Sequence, residues 1–234
     1  MKNSKVYTTK IKRLYSSMKR NSAKVEARTF DDPIDALVYG VICERMRRSR
    51  AKTAYKRAMS YFVDLNDLRV SRPEEICDIF GKDTPETRRA ASTLIRILTA
   101  VFDEKNCITL HDLQKVGKRQ AKHELEALDG ITHFAVNYCL LTSLKSHAIP
   151  LNEAMVAYLR KQECVYPSAS HHDIEGFLTK QIAAKDGYEF YALLRAHSES
   201  GIRSRTKKSK KKTVKKKIAK TAKKKIPKTT KKKK

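Results

Sequence analysis

The chain has 234 residues, 52 Lys and Arg against 25 Asp and Glu, and a formal net charge of +27. Its longest apolar runs, such as Tyr138-Cys139-Leu140-Leu141, fall far short of the roughly 18–20 residues a membrane span needs. The N-terminus has no continuous apolar stretch of the secretory kind, which leaves a cytoplasmic or nucleoid-associated setting and no membrane partner.

The charge is concentrated at the ends. Residues 1–28 hold nine bases and only Glu26, residues 203–234 hold 19 bases and no acid, and 29–202 are left with 24 of each. A neutral helical domain over 29–202 is therefore expected between a basic N-terminal arm, 1–28, and a Lys-rich tail, 203–234. Both termini are expected to be disordered, because such segments have little apolar surface to offset chain entropy. The tail, with Lys207, Lys208, Lys210, Lys211, Lys212, Lys215, Lys216 and Lys217 in clusters, suits a polyanion bound through counterion release. It resembles in composition the tails of linker histones and bacterial histone-like proteins. Duplex DNA is preferred as its partner over RNA.

In chain order, Asp32-Pro33 opens the first core helix, with Ile34, Leu37, Val38, Val41 and Ile42 at helical spacing. Ala54, Tyr55, Ala58, Tyr61 and Phe62 continue that period. Arg47, Arg48 and Arg50, with Lys52, Lys56 and Arg57, form a basic cluster around the start of this second helix, and Arg47, Arg48 and Arg50 are candidate secondary contacts to DNA phosphates. Ser71-Arg72-Pro73-Glu74 has the spacing of a capping box before Ile76, Ile79 and Phe80, and Gly81 marks a stop. Thr84-Pro85-Glu86 begins a longer helix through Phe102. Shorter helices are expected over 109–116, 118–128, 132–146, 152–161, 173–184 and 188–198. No run alternates with period two, so the fold class is all-α. Cys43, Cys77, Cys107, Cys139 and Cys164 are odd in number and widely spaced, so they read as small buried hydrophobes rather than disulfides or metal ligands. His171-His172-Asp173 reads as a helix start capped by Asp173, and no metal is expected there.

One segment carries more than fold class. In Leu125-Glu126-Ala127-Leu128-Asp129-Gly130-Ile131-Thr132-His133-Phe134-Ala135, one helix ends in a tight turn and another begins at once. Free amides at the start of the second helix can hold a phosphate, so Gly130, Ile131, Thr132 and His133 are candidate DNA contacts. The hairpin, about 125–135, resembles the L-x-x-L-P-G-V-G-x-K-T-A hairpin of the endonuclease III-like DNA glycosylases, the helix-hairpin-helix base-excision superfamily. Ile149-Pro150-Leu151-Asn152-Glu153-Ala154 is similar to that family's V-D-T-H strip, and Asp32–Leu37 and Asp67–Ile76 to its opening helix and the loop and helix that follow. The resemblance spans about Asp32 to Arg160.

It implies a helix-hairpin-helix glycosylase-like domain that binds duplex DNA and acts in base-excision repair. It also places Asn152 where the family has its catalytic Asp, and Phe134 where bifunctional members have their Schiff-base Lys. Asn carries no charge to set against an oxocarbenium-like centre and is a poor base; loss of such a group costs on the order of two to four powers of ten in rate. An apolar ring is no nucleophile. The resemblance thus implies no conventional catalytic residue, and Lys122 or Lys145 are weak substitutes. Asp129 in place of the family's Pro is expected to weaken the phosphate clamp. Many members bind an iron–sulfur cluster through four Cys near the C-terminus; Cys164 is the only Cys beyond the hairpin helices, so neither that cluster nor another cofactor is expected. The preferred reading is a DNA-binding protein that recognises damaged or deformed duplex without glycosylase or lyase activity. A divergent active glycosylase and a histone-like architectural protein remain alternatives.

Overall fold

The computed structural model describes residues 4–23 and 25–200; the tail lysines lie outside them. Eleven α-helices are formed among the described residues: α1 Ser4–Arg20, α2 Pro33–Arg45, α3 Arg48–Tyr61, α4 Leu65–Val70, α5 Pro73–Phe80, α6 Pro85–Lys105, α7 Lys118–Ala127, α8 His133–Thr142, α9 Glu153–Lys161, α10 His171–Gln181 and α11, residues 187–200. No strand occurs among them. None of these helices is long and apolar enough to cross a membrane.

Two helices form the centre. Nearly every residue of α2 from Pro33 to Cys43 is buried, as is α8 from Phe134 to Leu140. They approach closely because Gly40 faces Ala135: a Cβ at Gly40 would lie 3.2 Å from the Ala135 Cα. Asp32 caps α2, its Oδ1 accepting the Ile34 amide at 3.0 Å. The same carboxylate accepts the Leu110 amide at 3.1 Å and the Thr109 hydroxyl at 2.6 Å, tying α2 to the segment after α6. At the other end of α2, the buried Arg195 of α11 donates to the carbonyls of Cys43 and Met46 at 2.5 and 2.7 Å and to the Tyr191 hydroxyl at 2.8 Å. A helix C-terminus offers orphan carbonyls and a partial negative charge, and this cation satisfies both. Glu199 accepts from Arg195 at 3.1 Å and from the Arg48 amide at 2.9 Å, so one ion pair joins the end of α2 to the start of α3.

Several starts and stops differ from expectation. The expectation of a disordered arm over 1–28 does not hold for Ser4–Arg20, which form a helix. Ile11 and Met18 are fully buried, Tyr15 donates to Glu189 of α11 at 2.7 Å, and Tyr15 meets Phe190 edge-on. Lysines on the outer face supply charge without displacing the apolar stripe, so net charge misleads here. Ser71 does not cap α5: its hydroxyl donates to the Asp67 carbonyl and Arg72 takes the N-cap position, because α4, unforeseen as a separate helix, ends at Val70. Asp173 is not the cap of α10; Ser170 is, and Asp173 completes a capping box three residues on. The expected helix at 109–116 is a 3-10 turn, His111–Gln114. Thr84 caps α6 and Gly81 closes α5 in the left-handed region as expected. Four cysteines are buried, but Cys107, just beyond α6, is exposed.

Candidate nucleic-acid interface

The hairpin forms as a unit. α7 ends at Ala127, the Ile131 amide donates to the Leu128 carbonyl at 3.2 Å, and Thr132 caps α8 by accepting the Ala135 amide at 3.2 Å. Gly130 sits at φ +76, and a Cβ there would fall 2.9 Å from the Arg96 Cβ, so both backbone and space demand glycine. Ile131 is half-buried against the core and anchors the turn. The first amides of α8, at His133 and Phe134, have no intrahelical acceptor, as at any helix start. Asp129 is not left as a bare negative charge. Arg96 of α6 forks onto it at 2.7 and 3.1 Å, and this hydrogen bonding holds the Asp129 carboxyl below the usual carboxylate range. The turn is therefore charge-balanced.

Phe134 points inward. It is 3% exposed and packs against Tyr138 and Tyr191, each with ring centroids 6.3 Å away. Asn152 caps α9, its side-chain oxygen accepting the Met155 amide at 3.0 Å. Of the two substitute lysines, Lys122 pairs with Glu126 at 3.6 Å, and Lys145 lies beyond the far end of α8 from Phe134.

His133 belongs to a network that sequence reasoning missed. Glu175 of α10, 8% exposed, accepts from the buried Asn137 amide at 2.8 Å and lies 2.8 Å from His133 Nε2. The hydrogen bond that the His133 ring donates to Glu175 raises the His133 pKa above 6.5, against burial, which lowers it. The His172 ring stands 6.0 Å from that of His133, while His171 Nε2 is 2.9 Å from the Leu151 carbonyl, next to Asn152. The starts of α8, α9 and α10 are thus stitched together. The signal available was a Glu on the same apolar face as Ile174, Phe177 and Leu178. Among the described residues, no group of three or more His, Cys, Asp or Glu is placed to hold a metal ion. A four-thiolate cluster does not fit the donor set either, since the one thiol beyond the hairpin helices, Cys164, is buried alone.

The basic cluster is divided rather than shared. Arg48 and Lys52 line a cavity of about 620 Å³ with Arg28, Glu26 and four tyrosines, Tyr39, Tyr138, Tyr188 and Tyr191. The Arg28 guanidinium lies 4.0 Å above the Tyr39 ring and within 5.4 Å of Phe30 and Tyr55, a cation–π arrangement. Cys43 also lines this cavity, but burial pushes its thiol pKa up, away from nucleophilic use. Arg50 and Arg57 open instead onto a separate cleft beside Gly81. Arg47 is the half-buried N-cap of α3 and makes no side-chain cap bond. Tyr61 is exposed and bonded to Glu75, whereas Phe62 is core and Tyr55 is partly buried.

An all-α body carrying a Gly-turned hairpin and a tyrosine-lined cavity has the fold of the helix-hairpin-helix DNA glycosylases. Among solved structures, it is similar to a trapped endonuclease III–DNA covalent intermediate (15% identity, 80% of this chain and 84% of that one, TM-score 0.60). It is also similar to the Clostridium acetobutylicum 8-oxoguanine glycosylase/lyase bound to double-stranded DNA (13% identity, 86% and 71%, TM-score 0.63). A third is the H. pylori 3-methyladenine DNA glycosylase bound to 1,N6-ethenoadenine (12%, 83% and 98%, TM-score 0.58). No family model and no curated protein matches the sequence, so the likeness is one of fold.

Proposed function

We propose that the protein binds duplex DNA through its hairpin, prefers damaged or deformed sites, and lacks glycosylase and lyase activity. The observation that carries this reading is the hairpin. Gly130 and Thr132 shape the turn and leave the first amides of α8 without an intrahelical acceptor, Arg96 neutralises Asp129, and Phe134 and Asn152 are taken up by packing and capping. Backbone amides at the start of α8 would hold one phosphate, with His133 as a neighbouring donor. The mouth of the four-tyrosine cavity, where Tyr188 is half-buried beside Arg28, Arg48 and Lys52 while Tyr39, Tyr138 and Tyr191 are buried, suits an aromatic base drawn out of a deformable duplex. The Lys-rich tail adds sequence-blind affinity that falls steeply with salt. Neither Phe134 nor Asn152 supplies a nucleophile, a base or a charge, so the bound site would be held without being cut.

The divergent-glycosylase reading is favoured by one feature, Glu26, a carboxylate lining the same cavity. Incubating the full chain with duplexes carrying uracil, 8-oxoguanine, 3-methyladenine or an abasic site tests both readings. Retention on the DNA without base release or strand cleavage is expected. Release of a base that disappears in Glu26→Gln would replace the proposal with the enzymatic reading.

A further inference from the structure

The cleft between α3 and the turn joining α5 to α6 has a volume of about 310 Å³. Its cations come from two places. Arg50, Thr53 and Arg57 recur at three- and four-residue spacing and share one face of α3, roughly half a turn from the face that presents Arg48 and Lys52 to the tyrosine cavity. Lys82 arrives because Gly81, in the left-handed region at φ +88, reverses the chain at the end of α5. The same glycine seats Arg57: a Cβ there would lie 2.5 Å from Arg57 Nη1, so only a bare backbone lets the guanidinium lie against the turn. Buried Phe80 forms part of the wall, and Ser49 lines the same space.

These cations form no close ion pair. Among the described residues, Arg50, Arg57 and Lys82 have no carboxylate within ion-pair distance, whereas neighbouring Arg88 forks onto Asp83 at 2.6 and 2.5 Å. Arg50 does act on one acid, Glu86, whose carboxyl is held below the usual carboxylate range chiefly by its backbone amide and the Thr84 hydroxyl, with Arg89 and Arg50 adding to it. Three like charges facing one concavity repel each other until an anion enters. Guanidinium forks and an ammonium together match the oxygens of a phosphate. Thr53 adds little as a donor, because its hydroxyl already donates to the Ser49 carbonyl at 3.2 Å.

We propose that this cleft is a phosphate seat, separate from the hairpin, whose occupant in the DNA-bound protein is a backbone phosphodiester; that last assignment rests on the reading given above. The seat makes α3 two-sided, with one face serving the tyrosine cavity and the other gripping the strand.

The test uses the full chain, with Arg57→Ala/Lys82→Ala as the variant and Lys161→Ala/Lys180→Ala, two exposed lysines outside the cleft, as a control for the loss of two charges. Inorganic phosphate, titrated at constant ionic strength against chloride, is expected to raise the melting temperature of the native chain and the control but not of the variant. Equal shifts in all three, or none in any, overturn the proposal. In a salt series with a plain duplex, the slope of log affinity against log salt is expected to shrink by about one in the variant beyond the change in the control. A duplex with 5′-phosphorylated ends distinguishes the sources, since a preference for it that the variant loses assigns the seat to a terminal phosphate. If the native chain binds no duplex at low salt yet still responds to phosphate, the DNA reading fails and the seat stands. If it binds DNA with a slope the variant leaves unchanged and phosphate stabilises neither chain, the seat fails and the DNA reading stands.

Discussion

Replacing Glu175 tests the network that joins the hairpin to α10. In Glu175→Ala the Asn137 amide, 2% exposed, loses its acceptor at 2.8 Å, and an unsatisfied buried donor costs about 1–3 kcal/mol. The contact with His133 is also lost, but that imidazole is 43% exposed, so solvent screening limits its share to about 0–1 kcal/mol. The sum, about 1–4 kcal/mol, predicts a melting temperature lower by roughly 2–16 °C for a domain of this size. Glu175→Gln keeps an acceptor for Asn137 and removes only the charge, so it should cost no more than about 1 kcal/mol. The pH dependence has a definite sign. Because Glu175 raises the His133 pKa above 6.5 in the folded state, its stabilisation is fully present below 6.5 and is lost as pH rises through the raised value. Urea denaturation of the native chain and both variants, at about pH 6 and about pH 9, should show the Glu175→Gln penalty shrinking at the higher pH. A penalty for Glu175→Ala below about 1 kcal/mol, or a Glu175→Gln penalty that grows with pH, would refute the reasoning.

Gly130→Ala should destabilise the fold by about 1–3 kcal/mol, since alanine must adopt φ +76 and approach Arg96; calorimetry should register this, and an unchanged melting temperature would contradict it. Asn152→Asp keeps the cap on the Met155 amide and adds negative charge at a helix start, so stability should hold or rise by about 0.3–1 kcal/mol. Base release that appears only in this variant would mark a disarmed reaction centre beside Asn152, apart from the tyrosine cavity, which Asn152 does not line. Arg195→Lys, with one ammonium for the Cys43 and Met46 carbonyls and the Tyr191 hydroxyl, should lower stability by about 2 kcal/mol or more in denaturant titration.

Much of the scaffold was legible because its signals are local. Asp32-Pro33 and Thr84-Pro85 announce helix starts by side-chain capping and fixed φ, and both helices begin there. Ser71 misled because the same hydroxyl could close α4 or cap α5, and only packing decides between them. α1 was hidden by its lysines, although Ile11, Leu14, Tyr15 and Met18 stand at helical spacing. The hairpin's position was readable from the Gly130 turn, yet its charge state was not, because Arg96 lies 33 residues upstream. Glu175 and Asn137 escaped notice for the same reason: polar residues in apolar stripes have meaning only once a partner on another helix is known. The basic run at the start of α3 gave no hint of its division, which depends on which neighbours each face of the helix meets.

The measurement that tests the central claim most directly is the affinity of the full chain, at moderate salt, for two duplexes alike except for one abasic-site analogue. Any contact of the tail lysines would be to the same phosphates on both, so the ratio of the two affinities reports on the helical body. Tighter binding to the abasic duplex, with that DNA recovered uncut, is the result the account predicts. Equal binding to both would mean that the hairpin and the tyrosine cavity read nothing in the duplex, and would contradict it.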